Sequence, residues 1–268
     1  MDPIRECPIR RYDGRRERAE VDKVIAEARI ELLINDGEHR VGLLCLPRDL
    51  EALAAGFLLA EGALRRREDL HAVTVDAGAG RVTVRGDFDA DALEAASGRW
   101  TWGTGCGGGG TGRDLDAPAY RRLAGGPVVA PERLVELARA LAGRESLWRQ
   151  TGGVHACALA AADGAIVGFT EDVGRHNAFD KLLGRALLDG VDVADKLVVT
   201  TGRLSGEIVS KAVACGVCVL ASRSAATSLA VALARRFALT LVGFLRGERF
   251  NVYAGHERIA RGGGEGRT

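Results

Sequence analysis

From residue 151 to a last strand-like run at 250–253, stretches of β-forming apolar residues alternate with helix-length segments. No other feature constrains the fold as strongly. Residues 154–161 and 165–170 read as a strand pair turning at Asp163-Gly164. A helix over about 177–188 follows, then a strand at 196–201, a helix at 205–215, a strand at 217–222, a helix at 227–237 and a strand at 239–244. This order implies an α/β domain over 127–260, with helices packed on a largely parallel sheet.

Upstream the pattern differs. Residues 24–34 and 39–46 read as strands around Asn35-Asp36-Gly37-Glu38, 50–64 as a helix with Leu53, Phe57, Leu58 and Leu64 near one face, and 72–76 and 81–85 as two more strands. Together they make a smaller α+β domain over 22–97. Residues 98–126 are Gly-rich, carry Cys106, and read as a linker or mobile loop. Pro131 opens a helix with Leu134, Leu137, Ala138 and Leu141 on one face and Gly143 as its stop. The tail 261–268 reads as flexible.

A chain of 268 residues, 47% of them hydrophobic, has ample material for a core. Its formal net charge of +1 gives no global electrostatic case for binding nucleic acid or membrane. Residues 1–21 read as a basic arm; 5–18 hold six Arg and two Glu, the composition of a solvated, partly disordered segment. There is no apolar run near the ~20 residues of a membrane span and no secretory h-region. Six scattered Cys in a chain too long to need disulfide staples point to free thiols in a reducing cytoplasm.

Chemistry concentrates in four loops that follow strands of the second half: 171–177, 200–206, 222–228 and 244–249. They are rich in Gly, Ser, Thr and Arg, and three open into helices, where backbone N–H groups suit phosphate. In sheets of this kind ligands bind beyond the carboxyl ends of the strands. Cys106, between Gly105 and the glycines at 107–110, has no neighbouring side chains to bury it; glycine lets backbone N–H groups turn toward a thiolate, so this is a reactive thiol rather than an incidental loop Cys. Cys45, Cys157, Cys215 and Cys218 read as core. Cys215-x-x-Cys218 with His155 echoes a zinc deaminase, but Cys157 stands where the catalytic Glu belongs and Ala214 where the Pro belongs. His176 and Asp180, with Lys181 beside them, are either ligand groups or, with Asn177 as N-cap, helix-capping ones.

These residues resemble the FdhD family of formate dehydrogenase accessory sulfurtransferases. The likeness covers the chain from about residue 27. It is carried by Thr151-Gly152-Gly153-Val154-His155-Ala156, by Glu171-Asp172-Val173-Gly174-Arg175-His176-Asn177-Ala178 with Asp180-Lys181, by Thr201-Gly202-Arg203, by Ala226-Thr227-Ser228-Leu229-Ala230, by Leu241-Val242-Gly243-Phe244, and by Arg246-Gly247 with Arg249-Phe250-Asn251-Val252-Tyr253. The resemblance implies a cytidine deaminase-like three-layer larger domain without the zinc chemistry, and a homodimer. It implies that a cysteine desulfurase supplies sulfur as a persulfide on a loop Cys. That sulfur passes to molybdenum bis(molybdopterin guanine dinucleotide), carried as cargo into the catalytic subunit of formate dehydrogenase. The family's Cys maps onto Cys106. Its cofactor segment maps onto Phe244, Leu245, Arg246, Gly247, Glu248 and Arg249, and the loop chemistry adds Gly202, Arg203 and Ser224. Many members have C-x-x-C in the loop; here the second position is Gly109. One Cys suffices to hold one sulfur, and a cofactor escort without sulfur chemistry is the rival reading.

Overall fold

The structure, a computed structural model, describes residues 2–97, 120–144 and 146–261. Its first element is an antiparallel ribbon of β1 (Ile4–Asp13) and β2 (Arg16–Ile25). The basic arm is therefore an ordered ribbon, not a disordered segment. Gly14-Arg15 turns it, with Gly14 at φ 61°, and polar side chains pair across the strands: Arg11 with Glu20 at 3.0 Å, Tyr12 Oη donating to Glu17 at 2.8 Å. An Arg-rich composition hid this cross-strand pairing.

A four-stranded sheet follows, in the order β4-β3-β6-β5, from β3 (Ala28–Ile34), β4 (His39–Cys45), β5 (Leu70–Asp76) and β6 (Arg81–Gly86). The single strand read over 24–34 is thus broken between Ile25 and Ala28. α1 (Leu50–Ala60) and α2 (Ala90–Ser97) cover the sheet. α2 was not expected; Asp89 starts it, its Oδ1 accepting from Ala92 N at 3.1 Å.

α3 (Pro131–Gly143) begins on Pro131 and buries Leu134, Leu137, Ala138 and Leu141, as its spacing predicts. Before it, residues 120–129 are anchored rather than a linker. Leu123 N donates to Phe237 O at 2.8 Å, and Val129 bridges to Ile259. α4 (Leu147–Thr151) is a second unexpected helix, started by Ser146 and closed by Gly152 at φ 68°.

The larger sheet has the order β12-β11-β10-β9-β7-β8. Its strands are β7 (His155–Ala160), β8 (Ile166–Asp172), β9 (Leu197–Thr200), β10 (Val219–Ser222), β11 (Thr240–Arg246) and β12 (Arg249–Ala254). Only β9–β10 and β10–β11 pair in parallel; β7 and β12 run against their neighbours, so the sheet is mixed rather than largely parallel. α5 (Arg175–Leu188), α6 (Gly206–Ala214) and α7 (Ser228–Arg236) cover one face, meeting Leu159, Val198, Leu220 and Leu241; α3 covers the other, meeting Ala158, Val199, Ala221 and Val242. Burial on both faces is why β9 and β10 are unbroken apolar runs.

Two features clamp the small sheet to the large one. α1 and α5 touch backbone to backbone: a Cβ on Gly56 would collide with the Asp180 carbonyl, and one on Gly184 with that of Ala52. Beside them Lys181 and Asp172, both fully buried, pair at 2.6 Å. Lys181 Nζ also donates to Leu46 O at 2.9 Å, and Asp172 accepts from Leu46 N at 3.1 Å and Gly174 N at 2.9 Å. Asn177 is not the N-cap, which is Gly174; its Nδ2 reaches Leu44 O at 2.8 Å and Asp172 at 3.1 Å. The described residues contain no helix long and apolar enough to cross a membrane.

Replacing Gly184 by Ala forces the two helices apart and is expected to cost about 2–3 kcal/mol, read as a lower urea midpoint. Lys181→Ala strands Asp172 in the interior and is expected to cost about 3–5 kcal/mol. A loss below about 1 kcal/mol in either variant would contradict this account of the clamp.

Candidate functional site

β8, β9, β10 and β11 all point the same way, so the loops at 171–177, 200–206, 222–228 and 244–249 come to one edge of the sheet. β7 runs against them and adds its first residue, His155, to that edge. Short hydroxyl contacts knit the loops together. Ser222 Oγ donates to Gly202 O at 2.6 Å and accepts from Ser224 N at 2.9 Å. Thr200 Oγ1 accepts from Gly202 N at 3.2 Å, and Thr201 Oγ1 from Ala156 N at 3.0 Å. Gly202 is buried against the Arg175 stem, which leaves no room for a side chain.

On the α3 side of this edge a cleft of about 310 Å³ opens. Leu141, Val154, Ala156 and Phe169 give it apolar walls; Ser146, Thr201, Arg223, Ser224 and Arg246 supply polar groups; Trp148 stands at its side. Arg246 is aimed by its Nε, which donates to Arg223 O at 2.6 Å. Among the described residues no carboxylate pairs with Arg203, Arg223, Arg246 or Arg249. Some arginines elsewhere are neutralised, as in Arg65–Asp89 and Arg66–Asp69. A cleft with unneutralised guanidinium groups and backbone N–H groups attracts phosphate.

The predicted residues divide. Arg246 and Ser224 line the cleft. Phe244 sits exposed at φ 52°, a costly backbone for a bulky residue, held by its N–H donating to Ser224 O at 3.0 Å. Leu245 points into the core and Glu248 pairs with Arg139 at 2.8 Å, so neither side chain faces the cleft. Gly247, at φ 58°, allows the tight β11–β12 turn that sets Arg246 beside Arg249. Arg203 is exposed; burial first, then Arg175 and Arg203, hold the His155 imidazole below its usual pKa. Cys106 lies outside the described residues.

Other candidates serve the framework. His176 meets Glu207 at 3.2 Å, and Asp180 pairs with Lys211 at 2.5 Å in the interior. His155 opens β7 at the loop edge, whereas Cys215 caps α6 and Cys218 precedes β10 at the opposite edge, so the three cannot share a zinc ion. Burial pushes the thiols of Cys45 and Cys157 up to about 12, and raises that of Cys218. These three are poor nucleophiles at neutral pH. Sequence reasoning missed Trp148; the bracket of Ser146 and Gly152 around a five-residue helix was the available signal.

The FdhD/NarQ family profile matches residues 25–260. The chain is 38% identical over 258 residues to the sulfur carrier protein FdhD of Geobacillus kaustophilus, covering 95% of this chain and 97% of that one. It is 39% identical to the protein of the same name from Streptomyces coelicolor, with 89% of each chain covered. The crystal structure of a formate dehydrogenase accessory protein from Desulfotalea psychrophila is similar at 28% identity and a TM-score of 0.80, over 96% of this chain and 100% of that one. With its strand-end loops gathered at one edge and its sequence matched from residue 25 to 260, this chain belongs to the FdhD/NarQ family.

Proposed function

We propose that this protein is a sulfur carrier that serves formate dehydrogenase, accepting a persulfide on Cys106 and passing it to a molybdenum cofactor. The observation that carries the reading is the cleft whose Arg223 and Arg246 have no carboxylate partner among the described residues, in a chain whose relatives are named sulfur carriers. Phosphates of a guanine dinucleotide would meet Arg223 and Arg246, with Arg203 and Arg249 along the same edge. The strand order, with β7 antiparallel between β8 and β9, is the basis for reading the larger domain as cytidine deaminase-like, with the metal site lost.

In the first step the Cys106 thiolate attacks the outer sulfur of the desulfurase persulfide. A new S–S bond forms at Cys106 Sγ, the desulfurase S–S bond breaks, and the desulfurase thiolate leaves, with no net oxidation. Delivery of that sulfur as sulfide takes up two electrons. With glycine at 109 the loop holds no second thiol to furnish them, so the reductant comes from outside it. The working unit in this reading is a cytoplasmic homodimer that meets a cysteine desulfurase and then the catalytic subunit of formate dehydrogenase.

Incubation with a cysteine desulfurase and cysteine is expected to add about one sulfur (~32 Da) to the intact mass, reversed by reductant and absent in Cys106→Ala. The same variant is expected to leave formate dehydrogenase unmatured. Maturation by Cys106→Ala at the wild-type level would replace the carrier reading with cofactor escort.

A further inference from the structure

Trp148 is half exposed, at 51%, in a cleft whose other apolar walls include the buried Leu141, Val154 and Ala156. A helix as short as α4 has no stability of its own, yet here it is fixed on every side. Glu171 at the end of β8 accepts from Leu147 N at 2.9 Å and Trp148 N at 3.1 Å. Thr151 Oγ1 donates to Leu147 O at 2.8 Å, and Gly152 N to Trp148 O at 2.7 Å. Leu147, one residue before the indole, is sunk into a small core with Leu46 and Val154. The same ties that bury Leu147 thus hold the indole out of the core, in the cleft that Arg223 and Arg246 also line. A fixed aromatic face beside unneutralised guanidinium groups is what a phosphate-bearing planar ring requires.

We propose that Trp148 is the stacking wall of the cleft, taking a fused two-ring heteroaromatic group, a purine or pterin, whose phosphates lie on Arg223 and Arg246. This rests on reading the cleft as the cofactor site and adds the residue that selects the ring. Glu171 is its positioning residue. A single pyrimidine ring covers less of the indole, so the wall discriminates by stacked area as well as by charge. The cleft, at about 310 Å³, is of a size for one nucleotide-sized portion of a ligand.

The test is calorimetric titration of the full chain with guanosine diphosphate, cytidine diphosphate and inorganic pyrophosphate, in wild type, Trp148→Phe, Trp148→Ala and Arg246→Glu. Loss of one stacked base is expected to weaken guanosine diphosphate about 5- to 150-fold in Trp148→Ala, to erase the preference over cytidine diphosphate, and to leave pyrophosphate unchanged, which also shows the variant folded. Trp148→Phe is expected to keep most of the affinity, and Arg246→Glu to weaken all three ligands. Guanosine diphosphate held by Trp148→Ala within twofold of wild type, with Arg246→Glu impaired, overturns the stacking wall and spares the phosphate site. Wild type binding none of the three overturns both.

Discussion

The buried Lys181–Asp172 pair is the contact on which the rest of this structure depends. Two charges in a dry interior are tolerated only when each is paired and hydrogen-bonded. Here the requirement is met by groups from three places: the end of β8, the first turns of α5, and the Leu44–Leu46 backbone at the edge of the small sheet. The pair therefore specifies how the two sheets meet, and it does so at the strand end that begins the functional edge. Glu171, which holds the Trp148 helix, is the residue before Asp172, and Arg175 and His176 follow it by one turn. The ion pair and the cleft share one short stretch of chain, so the register of β8 sets both.

Much of this was legible in the sequence, because period and punctuation reported it. The strands at 197–200 and 219–222 and the helix on Pro131 fall where apolar period, Gly and Pro place them. What composition obscured was pairing between distant segments. The ribbon at 4–25 looks like a charge run because its stabilising contacts are cross-strand ion pairs, which no linear window sees. The mixed direction of the sheet depends on β7 lying between β8 and β9, a matter of order in space rather than of local propensity. His176, Asn177 and Asp180 looked like capping or ligand groups because buried polar residues and functional ones draw on the same types; only their partners, Glu207, Leu44 and Lys211, distinguish them.

The same limit applies at the site. The six-residue segment from Phe244 to Arg249 was legible as a unit, yet its side chains do different work. β-strand alternation sends Leu245 into the core and Arg246 out, and the turn at Gly247 returns the chain so that Arg249 pairs with Arg246 in the ladder. The positive φ of Phe244 coincides with an irregularity in the β11–β12 ladder between Gly243 and Arg246. A bulge re-aims the residues beside it, and that is how one strand places a guanidinium at the cleft without exposing its own core face.

Net charge near zero conceals the electrostatics that matter here. Several carboxylates are committed elsewhere: Glu17 and Glu20 to the ribbon, Asp89 and Asp69 to the small domain, Asp172 and Asp180 to buried lysines, Glu248 to Arg139. Positive charge then remains where few carboxylates face it, along the ends of β9, β10 and β11. Screening confines such a field to about 8 Å at physiological salt. A highly charged ligand is consequently drawn to this edge at short range. A neutral His155 serves the same end. Its imidazole is kept below its usual pKa by burial, then by Arg175 and Arg203, so at neutral pH it adds no further repulsion to a guanidinium-rich edge, and the field there is set by arginines whose charge does not vary with pH.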